Sequence, residues 1–196
     1  MKTICLTGGL ASGKSTASRF LESKGAYIID ADQLGHRVYD TGTQGYLKVI
    51  EAFGDEIVKD DYHIDRKQLG AIVFGNPDEL KKLTDIVWPE IRRLAELEIS
   101  SYEALEPDAV VVLEAAVLFE AGWEDIGDEV WVVIVDRDTA IERAMARDGA
   151  DRESVENRLK SQLSNEERAA RATVVIDNNG TQEELNARLE AAWSSL

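Results

Sequence analysis

The sequence predicts an α/β fold, a five-stranded parallel sheet with helices on both faces. Three observations predict it. First, short runs rich in β-branched residues recur along the chain and are apolar almost without interruption, as strands buried on both faces are. Second, segments with helical periodicity stand between those runs. Third, the chain opens with a strand–loop–helix–strand unit whose loop is rich in glycine.

Taken in order, residues 2–7 read as a buried strand and Gly8 to Gly13 as a loop. Lys14 to about Lys24 reads as a helix with Phe20 and Leu21 facing inward, ended by Gly25 as a C′ residue. Ala26-Tyr27-Ile28-Ile29 is the second strand, stopped by Asp30. Residues 33 to about 105 differ in character: apolar residues fall at helical spacing through 44–53, 66–74 and 78–99, with breaks near Gly54, Gly75 and Pro77. This stretch reads as a mostly helical insertion. Ala109 to Leu113 and Glu129 to Val135 are further strands. Arg137 to Arg147 and Arg152 to Leu163 are helices, and Thr173 to Ile176 is the last strand. Thr181 to Trp193 is a terminal helix opened by the capping box Thr181-x-x-Glu184. No internal repeat or low-complexity tract is present.

Composition narrows the function classes. With 196 residues and 44% hydrophobic content, the chain supports one sizeable core with a small inserted subdomain. Its formal net charge of −16 repels nucleic acid and anionic membrane surfaces, so neither is an expected partner. It also repels nucleotides at long range, so a nucleotide site has to be a local basic pocket. The single cysteine, Cys5, sits within a strand and reads as a buried thiol. No stretch approaches the roughly 20 apolar residues of a membrane span, and no signal peptide is visible. A soluble cytoplasmic protein is expected.

Gly8-x-x-x-x-Gly13-Lys14-Ser15 fits the Walker A pattern in full, with a strand before it and a helix after it. The glycines let backbone amides turn inward around phosphate oxygens, and the helix start adds its free amides and dipole. Lys14 supplies a compact charge for the β- and γ-phosphates. Ser15 offers a hydroxyl to Mg²⁺. Three further positions fall at carboxyl ends of strands, where open α/β sheets bind ligands. Asp30-Ala31-Asp32 follows the second strand, and two aspartates at that spacing point into one cleft if the chain stays extended. Asp30-x-x-Gln33 also fits a capping box, so Asp30 is open to either role, and Asp32 is the better general-base candidate. Glu114 follows an apolar strand in the Walker B arrangement. Asp177-Asn178-Asn179-Gly180 follows the last strand, either as a loop meeting an adenine or as a plain turn. Arg143 and Arg147 share a helix face, and Arg158 and Gln162 share one on the next helix. Arginine forks on such helices suit a lid over a phosphoryl transition state.

These residues, in this order from about residue 1 to 193, resemble the dephospho-coenzyme A kinase family. The resemblance is carried by Leu6 to Ser15, Ile29-Asp30-Ala31-Asp32, Leu69-Gly70-Ala71-Ile72-Val73-Phe74, Val117-Leu118-Phe119-Glu120-Ala121-Gly122, Arg143 to Arg147, Arg158 with Gln162, and Val175 to Gly180. It implies a P-loop kinase of coenzyme A biosynthesis. That enzyme would phosphorylate the ribose 3′-hydroxyl of dephospho-coenzyme A with Mg-ATP, as a monomer or weak oligomer. It implies a core of about 1–32, 106–136 and 172–196, a helical substrate-binding insert of about 33–105, and a lid of about 137–171. Asp32, Lys14 and Arg143 would be catalytic. Gly9, Ala11, Ser12, Gly13, Lys14, Ser15, Thr16, Arg147 and Asn178 would bind ATP. Asp30, Asp32, Leu69, Phe74, Glu114 and Leu118 would bind the substrate, and Ser15, with Glu114 as second candidate, would meet Mg²⁺.

Three departures stand out: Ala11 where the family usually has glycine, Leu113-Glu114-Ala115-Ala116 in place of an aspartate followed by proline, and Val87-Trp88-Pro89 in place of His-Pro. These variants look closer to the kinase domain of the animal bifunctional coenzyme A synthase. The competing readings are another small-molecule kinase, of nucleotide or shikimate type, and a non-catalytic nucleotide-binding module. A GTPase is disfavoured because no Asn-Lys-x-Asp motif occurs, and an ABC-type ATPase because its glycine-rich signature is missing.

Overall fold

The computed structural model describes residues 1–196. The chain divides into two units, one formed by Met1–Ile29 with Ile99–Leu196, the other by Asp30–Glu98.

The first unit holds the sheet. Strands β1 (Lys2–Gly8), β2 (Tyr27–Asp30), β3 (Val110–Glu114), β4 (Glu129–Ile134) and β5 (Val174–Asp177) are all parallel and lie in the order β2-β3-β1-β4-β5. β1 is central, and Ile4 is in register with Val112 on one side and Glu129 on the other. Its residues from Thr3 to Gly8 are buried, as expected for a strand covered on both faces. Alternation sends Ile4 and Leu6 to one face, where Val112, Trp131, Val133 and Ile176 join them. Helix α1 (Lys14–Ser23) covers that face with Ala17 and Leu21, and α9 (Gln182–Trp193) with Leu185 and Leu189. Cys5 is fully buried, as expected. The Thr181 capping box opens α9 as the sequence predicts.

Between β4 and β5 run α6 (Arg137–Asp148), α7 (Arg152–Lys160) and α8 (Asn165–Ala170). Here the structure corrects the sequence reading twice. The second of these helices stops at Lys160, with Ser161 as its cap, so Gln162 lies beyond it and does not share its face with Arg158. The six-residue α8 then starts on Ser164, whose hydroxyl and the Glu167 carboxylate form a reciprocal capping box. A second small core sits under α6 and α7, where Leu10 of the loop packs with Ile141, Ala144 and Val155.

The second unit is helical: α2 (Ala31–Val38), α3 (Gln44–Phe53), α4 (Arg66–Val73) and α5 (Pro77–Leu105) up to Glu98. Thr43 caps α3, Asp65 caps α4, and the Asn76 side chain accepts the Asp78 and Glu79 amides of α5. Pro77 is therefore the first residue of a helix, where proline is well suited. α5 runs past the expected end at 99, and Pro89 lies inside it without ending it. Val49, Phe53, Ile57, Leu69, Val73, Val87 and Ile91 are buried. Glu90 is buried as well, and Lys48 at 2.9 Å and Arg93 at 3.0 Å hold its carboxyl below the usual carboxylate range.

Candidate active site

The loop between β1 and α1 is shaped by close approaches that only glycine permits. A Cβ on Gly8 would collide with Ser12 Oγ and lie 2.7 Å from the Val133 carbonyl oxygen. Gly13 has φ +97°, and a Cβ there would run into the Asn178 amide. Ala11 takes φ +54°, a left-handed conformation that favours glycine. The cap of α1 is Gly13, and no side chain bonds the first amides of that helix. The Lys14 and Ser15 amides have no partner and are free to meet an anion at the positive end of the helix dipole. Ser12 Oγ is buried beneath the loop without a hydrogen-bond partner.

Glu114 ends β3 and is in register with Leu6 of β1, so its carboxylate rises beside the loop. Its Oε1 lies 3.2 Å from Lys14 Nζ and 3.5 Å from Ser15 Oγ. The Lys14 and Glu114 side chains are only 15% and 13% exposed. A primary ammonium, a hydroxyl and a carboxylate thus converge at the mouth of the loop. The hydroxyl and carboxylate are hard oxygen donors, and so few protein ligands suit Mg²⁺, which keeps several waters and bridges phosphates. The residues present fit that ion.

A model of the dephospho-CoA kinase family matches residues 2–184. The dephospho-CoA kinase of Geobacter sulfurreducens is 50% identical over 194 residues, covering 99% of this chain and 98% of that protein. The chain belongs to the dephospho-CoA kinase family. Among solved structures, the Campylobacter jejuni dephospho-CoA kinase superposes with a TM-score of 0.72 at 28% identity, covering 98% of this chain and 96% of that one. A Thermus thermophilus protein gives a TM-score of 0.82 at 35% identity, covering 100% and 97%. An enzyme of the dephospho-CoA kinase type uses ATP, and the loop geometry is suited to it.

Within this family member the structure gathers Gly9, Ala11, Ser12, Gly13, Lys14, Ser15 and Glu114 around the loop, and Thr16 follows in the first turn of α1, its amide on the Gly13 carbonyl at 2.9 Å. Other expected residues land differently. Asn178 is buried, and its side-chain amide donates to the Ser12 carbonyl at 2.7 Å. It therefore buttresses the loop from behind rather than offering its side chain to an adenine. Leu118 is fully enclosed, and Leu69 is 3% exposed, so neither side chain presents a surface for substrate. Both were expected as contacts, but each fills a core. Phe74, just past α4, is 78% exposed and available. The chain is not extended through Asp30-Ala31-Asp32. Asp30 is the cap of α2 and accepts the Asp32 and Gln33 amides, while Asp32 lies exposed in the first turn. The capping role of Asp30 is thus realised.

The arginines fall into two groups. Arg143 is half-buried on α6 and free of ion pairs. Arg147 grips Asp148 with two donors at 2.7 and 3.1 Å, and Arg158 reaches the same carboxylate at 2.9 Å. The two guanidiniums hold the Asp148 carboxyl far below its usual range, and the bond to Asp148 raises the pKa of Arg147.

Two residues at the loop carry no local motif. Gln162 Oε1 accepts the Leu10 amide at 3.0 Å, and Arg168, 3% exposed, stands against Gly9. In the sequence Gln162 is marked only by its spacing from Arg158, and Arg168 by nothing. The readable signal is Ser164-x-x-Glu167, which predicts a helix start and so places Arg168 in that helix, without saying which way its side chain turns. Beside the loop lies a cavity of about 700 Å³ whose lining includes Gly9, Leu10, Arg137, Gln162, Arg168 and Asn179.

Proposed function

We propose that this chain transfers the γ-phosphoryl group of Mg-ATP to the ribose 3′-hydroxyl of dephospho-coenzyme A, giving coenzyme A and ADP. The observation that carries the proposal is the convergence of Lys14, Ser15 and Glu114 on an uncapped helix start, within a chain matched to this family from residue 2 to 184. The amides of the loop and of early α1 hold the phosphates, and Lys14 draws charge from the β–γ bridge. Ser15 and Glu114 would hold Mg²⁺, which would supply positive charge against that developing on the phosphates. The part of the cavity lined by Arg137 and Asn179 receives the nucleoside.

Asp32 takes the proton of the 3′-hydroxyl as the new O–P bond forms and the γ-phosphorus–oxygen bond to ADP breaks. Its exposed carboxylate in the first turn of α2 is free for that role. Asp30 and Phe74 contribute to the acceptor site. Residues 33–105 act as the substrate-binding insert. Residues 137–171 act as the lid, which delivers Arg143 and Arg147 to the transferring group. The unpaired state of Arg143 supports this, since its guanidinium needs no partner exchanged before it meets phosphate. Arg147 must first leave Asp148. The enzyme works in the cytoplasm as a monomer or weak oligomer. No helix is long and apolar enough to cross a membrane.

The deciding assay incubates the protein with Mg-ATP and dephospho-coenzyme A and follows coenzyme A and ADP. Adenylate and shikimate serve as alternative acceptors. Coenzyme A formation that collapses in Lys14→Ala and Asp32→Asn supports the reaction and both roles. Turnover of another acceptor alone would overturn the substrate, and full activity in Asp32→Asn would overturn the base.

A further inference from the structure

Arg168 is the most enclosed cation of the chain, at 3% exposure. Burying a guanidinium is costly unless an anion compensates it. No carboxylate lies within ion-pair distance, and of its five N–H donors one bond is made, from Nη1 to the Leu163 carbonyl oxygen. Burial lowers its pKa, and the Glu120 and Glu167 carboxylates act only from a distance in the opposite sense. The guanidinium faces the phosphate loop: a Cβ on Gly9 would lie 3.2 Å from Arg168 Nη1. It also lines the cavity beside the loop. Two acidic residues of that cavity are already engaged, Asp136 with the Thr139 amide and hydroxyl and Glu167 with Ser164. The segment carrying Arg168 is tied to the loop by the Gln162–Leu10 bond.

We propose that Arg168 is a further nucleotide-binding residue, whose buried guanidinium meets the terminal phosphate of ATP from the Gly9 side of the loop. The amides of Gly13 to Ser15, at the helix start, hold the inner phosphates. A charge entering from the opposite end of the loop therefore reaches the outermost one. The inference rests on the reading of this loop as the ATP site.

The test is equilibrium binding of ATP and of ADP, without acceptor, to the full-length wild type, Arg168→Met and Arg168→Lys. Arg168→Met should bind ATP at least roughly tenfold more weakly, as for loss of a charge-assisted hydrogen bond, with ADP affinity within about threefold of wild type. Arg168→Lys keeps the charge but loses the fork, so it should show the same selective loss at smaller size. ATP and ADP affinities that fall together, or do not fall, overturn the proposal. If Arg168→Met does not fold, Arg168→Lys carries the test, and an unchanged ATP/ADP ratio in it overturns the proposal equally. Because no acceptor is present, the two readings fail separately. A wild type that makes no coenzyme A, yet shows the Arg168-dependent ATP/ADP ratio, loses its acceptor and keeps this residue. A wild type that makes coenzyme A, with the ratio unmoved by either variant, keeps its function and loses this residue.

Discussion

The starts of α1 and α9 face the same side of the sheet and are built in opposite ways. α9 begins on Thr181, whose hydroxyl accepts the Glu184 amide while the Glu184 carboxylate accepts the Thr181 amide. α1 begins on Gly13 in a left-handed conformation, with no side chain on its amides. The other seven helices follow α9: Asp30, Thr43, Asp65, Asn76, Asp136, Asp151 and Ser164 each accept amides of the helix that follows. A capped start is finished by its own sequence, whereas the start of α1 is completed by something brought to it. Every other α-helix in the chain spends a polar side chain on its start, and this one leaves its donors open.

The largest expected effect lies at the uncapped end. Lys14→Ala should lower the rate of phosphoryl transfer at least roughly a hundredfold. A rate within tenfold of wild type, in the coenzyme A assay, would break the contrast at once. Gly13→Ala should cost about 2–3 kcal/mol of stability by denaturant unfolding and abolish ATP binding, since the φ of +97° and the Asn178 amide both exclude a Cβ. Thr181→Ala should cost about 1 kcal/mol and leave ATP affinity unchanged, which separates a structural cap from a functional opening. An altered ATP affinity there would mean that the two helix starts are not independent.

The smallest effect is a matter of pH. In α8 the Ser164 amide and hydroxyl hold the Glu167 carboxyl below 4.5. A carboxyl depressed in the folded state contributes stability above its unfolded pKa and loses it as pH falls through the folded one. The α8 cap should therefore weaken below pH 4.5, and the start of α1, which has no such carboxylate, should not follow it. Carboxyl chemical shifts followed by NMR should show Glu167 titrating below 4.5 in the wild type and returning toward 4.5 in Ser164→Ala.

What could be read in advance follows from the range of each signal. The Walker A loop, the five strands and the Thr181 capping box depend on neighbours within a few residues, and all are present in the structure. The start of α2 at Ala31 was obscured because Asp30 satisfied two local rules at once. The extra helix α8 is only six residues long, too short for apolar periodicity to register. Contacts such as Asn178 to Ser12, or Gln162 to Leu10, join positions more than 150 residues apart and leave no mark on spacing. The resemblance points Leu118 and Leu69 to a substrate surface, yet periodicity along α4 turns Leu69 inward and Leu118 is enclosed within the turn after β3.

Leu10 occupies one of the positions that the Walker pattern writes as x, open to any residue. In this chain it is not open. Its side chain is part of the small core formed with Ile141, Ala144 and Val155, and its amide is held by Gln162. A variant with serine at this position would still satisfy every letter of the phosphate-loop signature. It would keep the amide bond to Gln162 but lose the apolar packing that joins that loop to α6 and α7, so a pattern search would count as intact a loop whose seat had come loose.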